Sequence, residues 1–542
     1  MKKALTLLAA FTLILCSCAK NGGNYVPDSE PYPEEVGESS ISETAATALP
    51  DETDLGKPSS LNDLYKIVDL NILDFNGESS DETLEDIRNK YPDKTVLVWQ
   101  LDPLITPPSS EAVNEYLDTL GKNYAVYFRD APEKYRKSRF TDALTYSTYN
   151  ETVVERLKNG EQIDIIDAFS IYNELSLHGY LEPIDPYLSD TEAGRELYGL
   201  MPENYWKGCR INGNIYGVCS YLTLGKRSGY LVNSALADKY GYDVEKPILE
   251  QIDILEQVKT EPCDAVMTWK GFSRPSECTA NICFNDCIIW DDTEKTAKSI
   301  LSDEAYTDAL RTYFELYKEG FVTETPIKNS YFIYEQNSQY PANAAGSVDQ
   351  LYIQIGNSVT AVPSYTASEY GTCIKPCNIG ICIAAGSRNK DCAFDLIATA
   401  FTDAHLNNML CYGKNYREYE QSGSIFLAGD DICRAWVFLN PMISIPPLTE
   451  PTDMLKRWTE GAESAVVSED IDFVLDISGL GEIPDAVRAV TVEMSRKIFD
   501  GGFESFEDYL DEYSKRLDEA GQQVMIDEAN RQYASYLENK NA

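Results

Sequence analysis

The chain has 542 residues and carries 88 acidic against 46 basic side chains, a formal net charge of −42 at pH 7. That field repels phosphate backbones, which excludes nucleic acid as a partner, and it repels anionic lipid headgroups. With 43% hydrophobic residues the chain is long enough to build two lobes, each with its own core.

Lys2 and Lys3 precede an apolar run from Ala4 to Leu15. The run is too short to span about 30 Å of hydrocarbon as a helix, so it reads as an export signal. Leu15-Cys16-Ser17-Cys18 resembles the bacterial lipobox, in which a small residue precedes a cysteine that becomes acylated on sulfur. Ser17 suits Cys18 to that role, whereas the bulky Leu15 rules against Cys16; an ordinary secretory signal is the alternative. Residues 1–17 are therefore expected to be a lipoprotein signal peptide. Residues 18–60, rich in Pro, Gly, Ser and acid, are expected to be a lipid-anchored disordered linker, because such a segment buries too little apolar surface to offset the entropy of ordering it. The membrane would be reached through that anchor only. Residues 61–94 form an N-terminal extension of no assigned module. Within it Asp74, Asn76, Glu78, Ser80, Glu82 and Glu85 have the spacing of calcium-loop ligands, but Ser79 stands where the sharp turn needs glycine, so the stretch reads as a solvated acidic loop.

From Lys94 onward strands and helices alternate. Thr95 to Trp99 is a short apolar run of the buried-strand type. The stretch SSEAVNEYLDTLGK follows with serine caps and Gly121 as a stop. Tyr124 to Phe128 is the next strand. A helix then opens at Asn150, presents Val153, Val154 and Leu157 on one face, and ends at Gly160. Ile163 to Phe169 is the third strand. Such alternation predicts an α/β fold with a mostly parallel sheet flanked by helices, and ligands on such sheets bind beyond the carboxyl ends of the strands.

Further along, Gly179, Tyr180, Leu181, Pro183, Ile184 and Asp185 form a Gly-Tyr-Leu-x-Pro-Ile-Asp element, and Gly213 to Val218 reads Gly-x-Ile-Tyr-Gly-Val. Gly229 to Leu236 keeps Asn233 of a Tyr-Asn-Lys element but has Ser234 for its lysine. Cys377 to Asp403 reads as a strand, a small-residue turn and a helix opened near Asn389. Near the C-terminus Lys515, Leu517, Ala520 and Gly521 fit Lys-x-Leu-x-x-Ala-Gly, with Glu528, Arg531 and Gln532 after it. In this order the elements resemble the extracellular solute-binding proteins of ABC importers, family 1, carbohydrate-associated, lipoprotein subgroup. The resemblance implies a two-lobed, type II periplasmic-binding-protein-like fold with a hinge between lobes. Lobe 1 would comprise residues 95–222 and 372–415, and lobe 2 residues 223–371 and 416–542 with the C-terminal helices. It further implies a monomer on the extracellular face of the cell membrane, which passes a small solute, an oligosaccharide, to ABC permease subunits without cofactor, metal or catalysis. Closure around solute would follow from contacts made only in the closed state.

Sugars present C–H faces to aromatic rings and hydroxyls to carboxylates and amides. Candidate ligand residues lie just past strand ends or at crossings between lobes: Trp99, Gln100, Asp102, Phe169, Ser170, Tyr172, Ser220 and Tyr221, then Trp269 beside Lys270, Trp290, Asp291 and Trp436. Trp and Tyr at strand ends more often serve a lobe core or rim than a ligand, and Asp167 could bind a hydroxyl or cap the next helix, capping being the commoner job. His178 is expected to end a helix beside Gly179. Fourteen cysteines without a C-x-x-C, and only His178 and His405, argue against structural zinc; disulfides and free buried thiols both remain open. No G-x-S-x-G, H-E-x-x-H or P-loop occurs. The alternatives to a transport receptor are a surface polysaccharide-binding protein and a secreted glycoside hydrolase, which would need only two carboxylates.

Overall fold

The computed structural model describes residues 82–102, 108–130, 152–168, 171–220, 225–232, 234–243, 246–261, 265–268, 288–291, 293–323, 331–338, 351–355, 358–362, 364–365, 373–374, 380–412, 439–444 and 467–540. The signal segment, the linker, Cys18 and Asp74 to Ser80 lie outside the described residues. Helix α1 (Leu84–Lys90), which carries Glu85, opens on a capping box: the Thr83 hydroxyl accepts the Asp86 amide at 3.2 Å and the Asp86 carboxylate accepts the Thr83 amide at 2.9 Å.

Strand β1 (Thr95–Gln100) is buried from Leu97 on, as a strand covered on both faces must be. Helix α2 (Ser110–Thr119) is capped by Ser109 and stops at Gly121, whose φ of 69° an L side chain adopts only with strain. After β2 (Tyr124–Arg129) comes α3 at residues 152–158 and then β3 (Ile165–Asp167). Helix α4 (Tyr172–Leu177) ends at His178, whose Nδ1 lies 2.9 Å from the Glu174 carbonyl oxygen. Three short helices, α5 (Asp185–Asp190), α6 (Glu192–Gly199) and α7 (Glu203–Cys209), lead to the hairpin β4 (Arg210–Ile211) and β5 (Asn214–Ile215) and to β6 (Gly217–Val218). The Gly179 to Asp185 element stitches these pieces together. Leu181 bridges Ala384, and the Asp185 carboxylate accepts the Ile215 amide at 2.8 Å and Arg210 Nη1 at 2.9 Å.

The chain then crosses to a second body: β7 (Gly225–Val232), α8 (Ser234–Tyr240), α9 (Ile252–Val258), β8 (Ala265–Thr268), the hairpin β9 (Ile288–Asp291) and β10 (Thr296–Ser299), α10 (Glu304–Lys318), β11 (Val322–Thr323), β12 (Tyr331–Ser338), the hairpin β13 (Leu351–Ile355) and β14 (Ser358–Val362), β15 (Ser364–Tyr365) and β16 (Cys373–Ile374). It returns through β17 (Ile381–Ile383), α11 (Lys390–Thr402) and α12 (Ala404–Tyr412), and closes with α13 (Ile483–Lys497), α14 (Phe506–Glu519) and α15 (Gln522–Lys540). Among the described residues no helix is long and apolar enough to cross a membrane.

The first sheet has the order β2-β1-β3-β17-β6, and the second β11-β8-β12-β7-β15 with β16 also on β7. β1, β2 and β3 are mutually parallel, as are β8, β11 and β12, while β17 and β7 run antiparallel to their neighbours. The sheets are therefore mixed: each is parallel where helices link successive strands and antiparallel where the chain leaves for, or returns from, the other body. Each sheet has its own core. Leu97, Trp99, Val126, Ile165, Trp206, Ile383 and Phe394 belong to the first, and Met267, Trp290, Tyr306, Phe332, Tyr509 and Tyr533 to the second. At the amino end of β3 the fully buried Asp164 accepts four hydrogen bonds, from the Val98 amide, Gln162, Ser387 and Asn389. Four donors offset the desolvation of one carboxylate, and the bonds fix β1, β3 and the start of α11 against one another. Asn389 thus opens α11 by binding Asp164 and makes no side-chain cap bond to the helix.

Candidate functional site

The carboxyl ends of β1, β2, β3 and β6 share one edge of the first sheet, where β17 also begins, since Ile381 pairs with both Asp167 and Val218. The chain leaves for the second body after β6 and returns to the first at β17, both at this edge. The strands that flank these two crossings pair at each end, β6 with β17 in the first sheet and β7 with β16 in the second, where Cys373 faces Lys226 and Ile374 faces Gly225. The outgoing and returning strands are therefore neighbours in both sheets. Gly217 permits the close approach of β6 to β17: a Cβ there would stand 2.6 Å from Cys382 Sγ and 3.0 Å from the Ile381 carbonyl oxygen.

Of the expected ligand residues, the fold brings Trp99, Gln100, Asp102, Tyr172 and Ser220 to this end of the first lobe, all of them buried. Asp167 links two of them. Its carboxylate, 1% exposed, accepts the Trp99 indole N–H at 2.8 Å and the Asp102 amide at 3.4 Å. It does not cap α4, which begins after Ile171 with no side-chain cap bond. Trp99 lies in the first core with its ring 5.6 Å from Phe128. Gln100 points to the other face, as strand alternation requires, where its Oε1 accepts Arg156 Nη1 at 2.8 Å. The Tyr172 hydroxyl donates to the Cys209 carbonyl at 2.8 Å and accepts the Tyr216 amide at 3.1 Å, holding α4 against the strands that enter the crossing. Burial pushes this phenol well above its ordinary pKa.

The second-lobe candidates stand on the β9–β10 hairpin. Trp290 packs between Phe473 and Tyr533, with centroids 6.5 and 4.4 Å away. Asp291 closes the turn: its Oδ1 accepts the amides of Thr293 and Glu294 at 2.9 and 2.8 Å, and its Oδ2 accepts Lys298 Nζ at 2.8 Å. The Lys298 ammonium in first place, with the two amides, holds its carboxyl below the usual range. Phe169, Ser170, Tyr221, Trp269, Lys270 and Trp436 lie outside the described residues.

Sulfur gathers at the crossings without a nucleophile. Cys209 and Cys382 are free and buried; burial pushes the Cys209 thiol up to about 12 and Cys382 up as well, with the Asp167 carboxylate adding to the second shift. Thiols so placed stay protonated and inert at neutral pH. Cys219, directly after β6, is disulfide-bonded, so both fates left open for the cysteines occur among the described residues, where Cys392 and Cys411 are also free. Among those residues no cluster of His, Cys, Asp and Glu could hold a metal ion.

Comparison with known proteins agrees with this architecture. No family model matches the sequence. Over 426 residues the chain is 18% identical to a carbohydrate ABC transporter substrate-binding protein of Streptococcus pneumoniae serotype 4, covering 73% of this chain and 84% of that one. The crystal structure of the N-glycan transport solute-binding protein NgtS of S. pneumoniae matches with a TM-score of 0.61 at 17% identity, covering 82% of this chain and 100% of the other. The same protein in complex with Man5GlcNAc matches at 0.52 and 17% identity, covering 82% and 99%. In its fold, and in a sequence similarity that runs along most of its length, the chain resembles the solute-binding proteins of carbohydrate ABC transporters.

Proposed function

We propose that the chain is the extracellular receptor of an ABC importer, tethered through an acylated Cys18, and that it captures an oligosaccharide between its lobes and hands it unaltered to permease subunits. The observation that carries this reading is mechanical. Two bodies with separate cores are joined twice, and the strands before and after the two crossings are paired, β6 with β17 at the carboxyl edge of the first sheet and β7 with β16 in the second. Paired crossings restrict relative motion to bending about a common axis, and a solute touching both bodies then favours the closed arrangement by its differential contacts. Asp102 and Ser220, the polar candidates at that edge, would accept or donate to sugar hydroxyls, together with the candidates Phe169, Ser170, Tyr221, Trp269 and Trp436. Asp167 would hold the floor beneath them. The glycan carried by the NgtS complex makes short mannose-bearing N-glycans the first solutes to try.

The test is isothermal calorimetry of the purified protein against Man5GlcNAc, maltooligosaccharides and fructooligosaccharides, with small-angle scattering of the best pair. One site per chain, compaction on binding and recovery of the intact sugar are expected. Binding only to polymers too large to enclose, or turnover of the sugar, would overturn the proposal.

A further inference from the structure

The two crossings are not the whole joint. The turn Glu469–Asp472 and the residues after it send side chains alternately into both bodies: Ile471 and Val474 belong to the first core, Phe473 and Leu475 to the second. The turn is held from each side by different chemistry. On the first body, the Asn212 amide at the tip of the β4–β5 hairpin donates to the Asp472 carbonyl at 2.8 Å. On the second, the buried carboxylates of Asp470 and Asp472 are gripped by side chains from the β9–β10 turn and from the last turns of α15. Lys295 Nζ is 2.7 Å from Asp470, the Tyr536 hydroxyl donates to Asp472 at 2.7 Å, and Lys540 Nζ lies 3.9 Å from Asp470 and 3.7 Å from Asp472. Lys540 also donates to the Tyr536 hydroxyl at 2.6 Å and to the Glu469 carbonyl at 3.2 Å, and so ties the end of the chain to the turn.

We infer that this cluster is a latch on a third pivot, and that Asp470, Asp472, Lys295, Tyr536 and Lys540 are positioning residues that set how far the lobes spread. Neither core alone requires the arrangement. A carboxylate needed only to finish the second body could be satisfied by water at its surface, whereas Asp470 and Asp472 are 4% and 9% exposed and flank the residue that enters the first core. Ile471 cannot change its seat in the first body without moving both carboxylates away from the lysines of the second. The latch thus couples rotation of the lobes to ion pairs that lie outside the two main crossings.

The inference does not depend on which solute is bound, so its test uses none. Small-angle scattering of the full chain without sugar would compare wild type with Lys540→Met, Lys540→Arg and the double variant Lys295→Met/Lys540→Met. With the latch cut, the pair-distance distribution broadens and the radius of gyration rises, most in the double variant, while circular dichroism still reports folded helices; Lys540→Arg, which keeps the charge, restores the wild-type curve. Unchanged scattering in a folded double variant would overturn the inference, as would the same change in Lys540→Arg. Should the Met variants fail to fold, wild type itself decides the question at low and at molar sodium chloride. Lys540 is 44% exposed, so its pairs are open to screening, and a curve indifferent to salt would count against the latch.

Discussion

Asp167 shows what a single buried carboxylate does here. A charge at 1% exposure is costly unless it is well supplied with donors, and its supply includes the Trp99 indole and the Asp102 amide. Asp167→Ala would take this acceptor from both, and loss of a buried hydrogen-bond partner costs about 1–3 kcal/mol, to be read as a lower urea midpoint at unchanged slope. Asp167→Asn keeps an acceptor oxygen and should lose less; equal losses would show that the charge, and not the acceptor, is what the site needs. From sequence the residue had two candidate roles, hydroxyl binding and helix capping. Its indole partner lies 68 positions away in the chain, beyond anything local pattern can report. The same limit applies to Trp99, Tyr172 and Trp290. The sequence placed them just past strand ends, whereas Trp99 and Trp290 lie inside β1 and β9 and Tyr172 starts α4, and whether a ring faces a core or an edge is decided by what packs against it.

At the level of elements, local chemistry spoke clearly. The strands at Thr95–Gln100 and Tyr124–Arg129, the Ser109 cap, the Gly121 stop and the His178–Gly179 helix end all follow from apolar runs and from capping residues that act within a few positions. The C-terminal helices also carry their packing in their spacing: Tyr509, Tyr513 and Leu517 fall on one face of α14 and are buried. What joins α13 to α14 is less visible, and it makes the stability of this layer depend on pH. The Arg516 guanidinium hydrogen-bonded to Glu493, with help from Lys497, holds that carboxyl down at about 2. Because the folded pKa lies below the unfolded value of about 4.3, the pair's contribution is present above that value and is lost as pH falls toward 2. Glu493 is about half exposed, so the contribution is about 0.2–1 kcal/mol. Glu493→Gln should flatten the loss of stability in that acid window and leave a small deficit at neutral pH, as measured by urea titrations across it. An unchanged acid slope would show that other carboxylates dominate.

For the whole molecule, the tether and the joint are separate questions with separate tests. If Cys18 carries the lipid, Cys18→Ser should release the protein from membranes into the medium, and continued retention in a membrane fraction would defeat that reading. The sequence by itself determined the α/β class, the strongly acidic character, the order of strands and helices in the first body and the short motifs that resemble a solute receptor. These rest on composition and on interactions within one or two turns of chain. Only the tertiary structure decided that β17 would insert between β3 and β6, that β7 would pair with β16, and that Ile471 and Phe473, two residues apart, would enter different cores. The physical reason is common to all three. Each outcome depends on partners tens to hundreds of residues away, and the free energy of such contacts is realised only once the two bodies have formed and their surfaces have met.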